Sequence, residues 1–228
     1  MTIADPAATP ARPRTILFDW DNTLVDTWQV IHAALNETLA ALGRPPWTLA
    51  ETRARVRHSA REAFPAWFGA DAARAAEVFY AAFEARHLDA LAPLAGAADL
   101  LTALQAAGFD LAVISNKQGP YLRAEVAHLG WCDYFRALVG AGDAPRDKPA
   151  PEAVARALAG ASARAPDDVW LIGDTDIDMT CARAAGLYPV LLRAEPPAPG
   201  EFGEAPPACH AESCAALGRL LLPPVSGF

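Results

Sequence analysis

Long apolar runs are missing from this sequence. No stretch approaches the roughly 18 consecutive apolar residues of a membrane-spanning helix, and the first residues, MTIADPAATPARPR, contain no apolar signal segment. These absences predict a cytoplasmic protein that has no membrane partner. Residues 1–13 are rich in alanine and proline, so we expect them to form a flexible leader that precedes the folded part.

Cysteine, histidine and positive charge are also scarce. The four cysteines and five histidines show neither a C-x-x-C pair nor another metal-binding spacing, which disfavours both a zinc site and a disulfide framework. The net charge of -8 argues against nucleic acid as the main partner. Lysine is the rarer cation, since only Lys117 and Lys148 stand against seventeen arginines. The lysine kept at position 148 indicates a place that needs a compact point charge.

What the sequence does contain is the pattern of an α/β protein. Hydrophobic residues make up 53% of its 228 positions, enough for a globular core. Short apolar runs suit buried strands, and the later runs are separated by helical patterns. The runs are TILFDW (15–20), FDLAVIS (109–115), ALVGA (137–141), DVWLIGD (168–174) and YPVLL (188–192). This alternation predicts a doubly wound, Rossmann-like parallel sheet, followed by a short strand and a last helix around 212–222.

One region breaks that alternation. Residues 26–91 contain helical patterns and no convincing strand. Capping residues and breakers divide the region into three expected helices, which run from Asp26 to Gly43, from the capping box of Thr48 and Glu51 to Pro65, and from Asp71 to about Leu88. The sequence therefore predicts an all-helical cap over 26–91, inserted into a core made of 14–25 and 92–228. Asp26 caps the first helix in this interpretation, and Asp26 and Thr27 are candidates for the hinge.

Polar residues cluster where the predicted strands end. In open parallel sheets, ligands bind at the carboxyl ends of the strands. The residues expected there are Asp19, Asp21, Ser115, Asn116, Lys148, Asp174 and Asp178. Any one of them is weak alone, since the acid content of the chain predicts about three acid pairs at any chosen spacing by chance. Only the combination of these residues is therefore informative.

The combination indicates one kind of site. Carboxylates that are gathered at one edge repel one another unless a cation compensates, and oxygen ligands favour a hard ion such as Mg²⁺. A hydroxyl group, backbone N–H groups and a lysine beside them suit a phosphoryl group. The sequence therefore predicts a site that binds a divalent cation and a phosphate together.

Four segments follow one another along the chain, namely ILFDWDNTL, AVISNK, DKPAPE and GDTDID. They resemble the motifs of the haloacid dehalogenase superfamily and, within it, of the phosphoglycolate phosphatase-like branch. The resemblance spans most of the chain from Arg14 to about Leu192. One departure is Asn22, which stands where the family usually has glycine. Asparagine is the residue that best replaces glycine in a left-handed turn. The resemblance implies a phosphatase with a mobile helical cap.

The resemblance also implies roles for the four aspartates. Asp19 is expected to be the nucleophile that forms an aspartyl phosphate, and Asp21 is expected to be the general acid and base. Mg²⁺ is the implied cofactor. The groups expected to hold it are Asp19, the backbone carbonyl of Asp21, Asp174 and Asp178, the last one directly or through water.

The remaining strand-end residues are implied to handle the phosphate. Ser115 and the amide of Asn116 are expected to bind the phosphoryl oxygens. Lys148 is expected to neutralise charge beside the nucleophile, which makes it part of both the catalytic and the phosphate-binding groups. Asp176, which lies between Asp174 and Asp178 in GDTDID, is expected to be a bystander.

Related reactions on the same core are separated by single features. Dehalogenation is disfavoured, because the dehalogenases of this superfamily lack an aspartate at the Asp21 position. Cleavage of a phosphonate is disfavoured, because its cap lysine has no counterpart within 26–91. A sugar-phosphate mutase stays an alternative, and so does a non-enzymatic signalling module that carries a phospho-aspartate.

The substrate is the least specified part of the prediction. The partner is expected to be a small phosphorylated metabolite, and the cap segment RVRHSAREAF (55–64) is the candidate for contact with it. Arg57, His58 and Arg61 can recognise a second anionic group such as a carboxylate, which would suit phosphoglycolate. An ordinary solvated helix face explains the same residues equally well. The oligomeric state is not readable from the sequence.

Overall fold

Eight strands lie in the part of the chain that the structure describes. The structure is a computed structural model that describes residues 12–161 and 168–223. The strands are β1 Thr15–Phe18, β2 Val25–Asp26, β3 Ala92–Pro93, β4 Asp110–Gln118, β5 Ala137–Ala141, β6 Val169–Gly173, β7 Tyr188–Leu192 and β8 Cys209–Ala211. Six of them form one parallel sheet in the order β5-β4-β1-β6-β7-β8, and β2 and β3 form a separate antiparallel pair.

The first strand occupies the centre of the main sheet. β1 pairs with β4 on one side and with β6 on the other. All four of its residues are buried, because Ile16 and Phe18 face one layer of helices and Leu17 faces the other. This sheet confirms the predicted parallel α/β fold. It also brings the carboxyl ends of β1, β4 and β6 to one edge, where the polar residues were expected.

The α-helices of the described residues fall into two groups. Four lie between β2 and β3, namely α1 Trp28–Ala41, α2 Leu49–Arg55, α3 Ala60–Phe68 and α4 Ala72–Glu84. Five flank the sheet, namely α5 Ala97–Ala106, α6 Gly119–His128, α7 Glu152–Leu158, α8 Asp176–Ala184 and α9 Cys214–Leu221. Side chains of α5, α6 and α9 pack on one face of the sheet, and those of α7 and α8 pack on the other. None of the described helices is long and apolar enough to cross a membrane.

The four helices between β2 and β3 are called the cap here, and three of them, α1, α3 and α4, share two apolar clusters. Leu35 of α1 packs with Phe64 of α3, and Phe83 of α4 packs against α1. Both ends of the cap run through the β2–β3 pair, in which Val25 lies opposite Pro93. The cap is therefore joined to the core by two adjacent strands.

The prediction of a single helix over 48–65 is wrong. Residues 56–59 interrupt it and separate α2 from α3. The interruption lies against the core, where the Ser59 hydroxyl donates a hydrogen bond to Asp147 at 2.6 Å. Pro65 does not end the helix either, since it lies inside α3. Helical periodicity could not reveal the break, because the partner that holds it is 88 residues away in sequence.

The start of the cap is tied to the turn after β1. Asp26 lies in β2, and its carboxylate accepts a hydrogen bond from the Trp28 N–H at 3.2 Å. Thr27 occupies the N-cap position of α1, and its own N–H donates to Asn22 Oδ1 at 3.3 Å. Asp26 therefore caps the first amide of α1 from one residue before the N-cap.

The chain packs on the core from residue 12 onward. Residues 1–11 of the predicted leader lie outside the described residues. The Arg12 guanidinium lies 4.5 Å from the centre of the Phe109 ring, and Pro13 is buried. The last two positions of the predicted leader are therefore part of the folded structure.

Candidate active site

The turn that follows β1 gives its two aspartates different surroundings. Asp19 is buried and comes directly after the strand, whereas Asp21 is half-buried. Asn22 has a φ of 62°, so it adopts the left-handed conformation that was predicted for it. The Asn22 N–H donates to the Val25 carbonyl at 2.6 Å and closes the turn. The turn thus places Asp19 at the carboxyl edge of the sheet and Asp21, two positions later, in the cleft beside it.

Three carboxylates meet at the edge of the sheet. Oxygen atoms of Asp19, Asp174 and Asp178 all lie within 4.8 Å of one another. The Lys148 ammonium donates to Asp19 Oδ1 at 2.6 Å and to Asp178 Oδ1 at 2.7 Å. The other oxygen of Asp178 accepts from the Thr175 hydroxyl at 2.8 Å, which orients the acid at the start of α8. Residues from three motifs, far apart in sequence, therefore form one charged cluster.

Gly173 and the hydroxyl group of Thr23 complete the carboxylate cluster. A Cβ on Gly173 would lie 2.3 Å from Asp178 Cγ, so the end of β6 must be glycine for this carboxylate to reach the edge. The Thr23 hydroxyl donates to Asp19 Oδ2 at 3.2 Å and lies 3.5 Å from Asp174 Oδ1. Thr23 is part of the ILFDWDNTL motif, but no role was predicted for it. The structure places it as a link between two of the carboxylates.

Burial perturbs the charges of this cluster. It raises the pKa of Asp19 to about 7, even though the Lys148 ammonium opposes the shift, and the nearby carboxylates of Asp178 and Asp21 add to it. Burial also raises the pKa of Asp174. Burial alone would lower the pKa of Lys148, but Asp178 and Asp19 raise it above its ordinary value. One ammonium therefore does not balance these carboxylates, and their oxygen donors fit a divalent cation such as Mg²⁺.

Ser115 and Asn116 lie at the same edge, near the end of β4. Ser115 is buried, and its Oγ accepts a hydrogen bond from the Lys117 N–H at 3.1 Å. The Asn116 side chain donates to the Lys148 carbonyl and accepts from the Lys148 N–H, both at 3.0 Å. It also donates to the Arg57 carbonyl at 3.4 Å. The Asn116 side chain thus fixes the lysine loop and touches the cap, which leaves its backbone amide as the group predicted to face phosphate.

The second lysine of the chain also lies in the site, and the sequence analysis did not assign it. Lys117 Nζ donates to Asp21 Oδ1 at 2.6 Å and to Glu125 Oε2 at 2.5 Å. Burial alone would lower the pKa of Lys117, but Asp21 and Glu125 raise it. The signal was present in AVISNK, since this is one of only two lysines and it directly follows the predicted phosphate-binding pair.

Glu125 connects Lys117 to two further residues. It is fully buried, accepts from Trp20 Nε1 at 2.7 Å, and lies 2.8 Å from His87 Nδ1. His87 follows α4, so this network joins the core to the end of the cap. No sequence pattern links these positions, because Trp20 and Glu125 are 105 residues apart. The side chain of Asp21 is therefore held by a buried polar network that reaches the cap.

Arg61 of the predicted substrate segment is bound to the core. Its guanidinium donates to both oxygens of Asp147, with Nε and Nη2 each at 2.6 Å. The same carboxylate accepts from the Ser59 hydroxyl at 2.6 Å and is buried. A bidentate pair of this kind fixes geometry as well as charge. Arg61 therefore anchors α3 to the loop before Lys148.

The other two residues of that segment lie nearer the cleft. Arg57 Nε is 3.7 Å from Asp176 Oδ1, so the expected bystander of the fourth motif contacts the cap. His58 Nδ1 is 3.6 Å from Glu62 Oε2 in the following helix. Both Arg57 and His58 line the cleft above the carboxylates. Their proposed contact with substrate stays a prediction.

The carboxylate cluster lies on the floor of a cleft between the core and the cap. The cleft encloses about 930 Å³, including the part that is open to solvent. Its floor comprises Asp19, Asp21, Ser115, Asn116, Lys117, Lys148, Asp174 and Asp178. The opposite wall comes from α1, α3, α4 and the interruption between α2 and α3. All seven core residues that were predicted to act together therefore face one space.

Comparison with known sequences gives consistent matches. A sequence model of the haloacid dehalogenase-like hydrolases matches residues 16–191. Phosphoglycolate phosphatase 1 of Pseudomonas aeruginosa is 30% identical over 198 residues, which cover 82% of this chain and 72% of that protein. The phosphoglycolate phosphatase of Caulobacter vibrioides is 35% identical over 186 residues, which cover 78% of both chains.

Comparison with solved structures gives the same fold. A haloacid dehalogenase-like family hydrolase from Streptococcus pneumoniae superposes with a TM-score of 0.78 at 22% identity, and the match covers 90% of this chain and 97% of that one. A hydrolase from Pseudomonas syringae superposes with a TM-score of 0.74 at 22% identity, covering 89% and 95%. The fold of this chain is therefore shared with solved proteins.

Proposed function

The chain belongs to the haloacid dehalogenase-like hydrolase family and is a phosphatase of that family; from this premise we propose that it hydrolyses small phosphate monoesters with Mg²⁺ through an aspartyl phosphate. The observation that supports this most is the cluster of Asp19, Asp174 and Asp178 around the Lys148 ammonium. Such a cluster offers oxygen ligands to a cation and a positive charge to a phosphoryl group.

Asp19 is the nucleophile of the proposed mechanism. One of its oxygens attacks phosphorus, the bond from phosphorus to the ester oxygen breaks, and an aspartyl phosphate results. Asp19, Asp174, Asp178 and the Asp21 carbonyl would hold Mg²⁺, which when bound keeps the carboxylates ionised and withdraws charge from the phosphoryl oxygens. Lys148 stays charged and holds Asp19 in place at 2.6 Å.

Asp21 moves the protons. Its carboxyl group donates a proton to the alkoxide that leaves, so that a neutral alcohol departs. The resulting carboxylate then takes a proton from water, and the water oxygen attacks phosphorus to release phosphate and restore Asp19. Lys117 orients the Asp21 side chain from 2.6 Å. Ser115 and the Asn116 amide bind phosphoryl oxygens in both steps, at the edge where the charge develops.

The alternatives left open by the sequence are less well supported. The relatives described above are named phosphatases, which favours release of phosphate over its transfer between sugar hydroxyls. A signalling module would keep its aspartyl phosphate, whereas the cleft beside Asp19 also presents Asp21 as a base for water. The names of the relatives make phosphoglycolate the first natural ester to test.

The test is a comparison of Asp19→Asn with Asp176→Asn, which removes the one acid of GDTDID that is not part of the carboxylate cluster. Phosphate release from ethyl phosphate and phenyl phosphate is measured with Mg²⁺ and with EDTA. We expect Asp19→Asn to lose at least about 10³-fold in kcat, and Asp176→Asn to stay within about threefold. EDTA should abolish activity, and added Mg²⁺ should restore it.

A second measurement addresses the intermediate. Acid quenching during turnover, followed by peptide mass spectrometry, should find phosphate on the peptide that contains Asp19 and on no other. Turnover that survives Asp19→Asn would rule out this nucleophile. A stoichiometric, long-lived phosphoprotein without turnover would instead support the signalling alternative.

A further inference from the structure

The wall of the cleft that faces the catalytic floor is built from apolar side chains. The cap supplies Ile31 and Leu35 from α1, Phe64 and Trp67 from α3, and Phe79 and Phe83 from α4. Tyr121 continues this wall onto the core. Phe64 and Phe83 are buried, whereas Trp67, Phe79 and Tyr121 are half-buried and present ring surface to the cleft. A group that extends away from Asp19 and Asp21 therefore meets aromatic rings.

These rings form a continuous set of contacts, called the aromatic wall here. Phe64 packs edge-to-face on Phe79 with centroids 5.4 Å apart, and Phe79 stacks on Phe83 at 6.0 Å. Phe83 meets Tyr121 edge-to-face at 5.4 Å. Tyr80 stacks on the same tyrosine at 5.7 Å. Mutual packing holds the rings in place, so the wall is preorganised for another flat apolar group.

Each basic side chain that lines the cleft, among the described residues, has a carboxylate nearby. Arg57 Nε lies 3.7 Å from Asp176 Oδ1, and His58 Nδ1 lies 3.6 Å from Glu62 Oε2. The two lysines of the chain are held by the acids of the catalytic floor and by Glu125. A carboxylate on the alcohol side of a substrate would therefore compete with Asp176 or Glu62 for Arg57 and His58.

The catalytic floor and the aromatic wall would bind different parts of a substrate. The phosphoryl group belongs with Asp19 and Lys148 on the floor, and Asp21 marks the position of the leaving oxygen. The alcohol then extends toward the aromatic wall. An apolar group gains there in proportion to the area that it buries, whereas a carboxylate placed against the rings would lose its hydration without gaining a charged partner from them.

We infer that this chain selects phosphate monoesters whose alcohol carries an aromatic group over esters whose alcohol carries a second anion, an inference that rests on the proposed phosphatase function. The aromatic wall supplies the binding energy for the alcohol, and its rings offer no charged partner to a carboxylate. The preferred substrate of this site therefore differs from phosphoglycolate, after which the relatives described above are named.

The test compares kcat/KM for three esters that have alkoxide leaving groups, namely 2-phenylethyl phosphate, ethyl phosphate and 2-phosphoglycolate. We expect 2-phenylethyl phosphate to exceed the other two by at least about tenfold, the scale on which an apolar pocket discriminates. Equal or better hydrolysis of 2-phosphoglycolate would overturn the inference and leave the phosphatase function intact. Failure to hydrolyse any of the three would count against the phosphatase function itself.

A binding experiment decides the inference even without turnover. Trp28 and Trp67 line the cleft, so their fluorescence reports occupation. Benzylphosphonate should bind at least about tenfold more tightly than phosphonoacetate, which carries a carboxylate in place of the ring. Tighter binding of phosphonoacetate would overturn the inference.

A matched pair of variants tests the wall itself. Ile31 of α1 is half-buried, lines the cleft, and belongs to the cap and not to the catalytic floor. Ile31→Lys places an unpaired ammonium there, and Ile31→Met keeps an apolar side chain. The lysine variant should shift the kcat/KM ratio toward 2-phosphoglycolate by at least about tenfold, and the methionine variant should shift it by less than about threefold. An unchanged ratio in folded Ile31→Lys, checked by circular dichroism, would contradict the role of the wall; where that variant does not fold, the binding comparison decides.

Discussion

The floor and the wall of the cleft differ in the interactions that hold their side chains in place. The floor is made of charged groups from strand ends, and each is held by a partner of the opposite sign or by a hydroxyl, as Asp19 is by Lys148 and Thr23. The wall is made of rings from helices, held by packing against one another, as Phe64 is by Phe79. The reaction and the choice of alcohol are therefore separable, because different forces position the groups responsible for each.

The two regions also differ in their effect on stability. Burial raises the pKa of Asp19 to about 7 and raises that of Asp174, so the folded state holds these acids at an energetic cost when no cation is bound. The wall instead buries apolar surface, which stabilises the fold. Substitutions on the floor should therefore change the rate for every ester, whereas substitutions on the wall should change the order of preference among esters.

The largest effect is expected from removing the charge of the floor. Lys148→Met deletes the ammonium that binds both Asp19 and Asp178, so we expect kcat to fall by about 10³-fold or more for all esters alike. Steady-state kinetics on aromatic and small alkyl esters measures this. Lys148→Arg is the control for charge, and it should recover only part of the rate because the guanidinium does not reproduce a point charge. A loss of rate that is restricted to one class of ester would contradict the separate roles of the floor and the wall.

The next effect concerns the leaving group alone. Asp21→Asn cannot donate a proton, so we expect a loss of about 10²-fold or more with 2-phenylethyl phosphate. Phenyl phosphate has a leaving group that needs less protonation, and its loss should be at least about tenfold smaller. Both esters carry an aromatic ring, so the wall treats them alike. Equal losses on both would argue against Asp21 as the general acid.

A smaller effect is expected where the cap is anchored. Arg61→Ala leaves the buried Asp147 with the Ser59 hydroxyl and the Gly142 N–H as its remaining partners. We expect the free energy of unfolding in urea to fall by about 1–2 kcal/mol, since the arginine itself is partly exposed. Arg146→Ala breaks an exposed pair with Glu152 and serves as the control, with an expected change below about 0.5 kcal/mol. Equal effects of the two variants would show that the anchor is an ordinary surface pair.

The smallest effect is a gain in stability. A carboxyl group whose pKa is higher in the folded protein than in the unfolded chain lowers stability as the pH rises from its ordinary value of 3.8 through about 7. Asp19→Asn should therefore stabilise the EDTA-treated protein by on the order of 1 kcal/mol at pH 8, and by less at pH 5. Thermal unfolding at both pH values measures this, with Asp176→Asn as control. Destabilisation at both pH values would mean that the bond to Lys148 outweighs the cost of burial.

Much of the floor could be predicted without coordinates. The strand runs place Asp19, Ser115 and Asp174 at carboxyl ends, and parallel strands bring those ends to one edge. The lysine of DKPAPE follows for the same reason, since its loop leaves β5 at that edge. Lys117 was missed although its position in AVISNK was visible, because its partner Glu125 lies on a helix whose orientation only packing decides.

The wall could not be predicted in the same way. Periodicity marks the apolar face of a helix, but it does not say whether that face meets another helix or an open cleft. Phe79 fits both descriptions, since it packs on Phe64 and also lines the cleft. The interruption at 56–59 was hidden for a similar reason, because Asp147 holds it from outside the cap.

The amino-acid sequence alone predicts the parallel sheet, the turn at Asn22 and the acids and lysine of the floor. These follow from strand alternation, from backbone preference and from strand ends that always meet at one edge. Three other features depend on tertiary packing: Arg61 anchors the cap, Lys117 holds Asp21, and rings face the phosphoryl site. Those arrangements depend on contacts between residues dozens of positions apart, and such contacts form only when the core and the cap pack together.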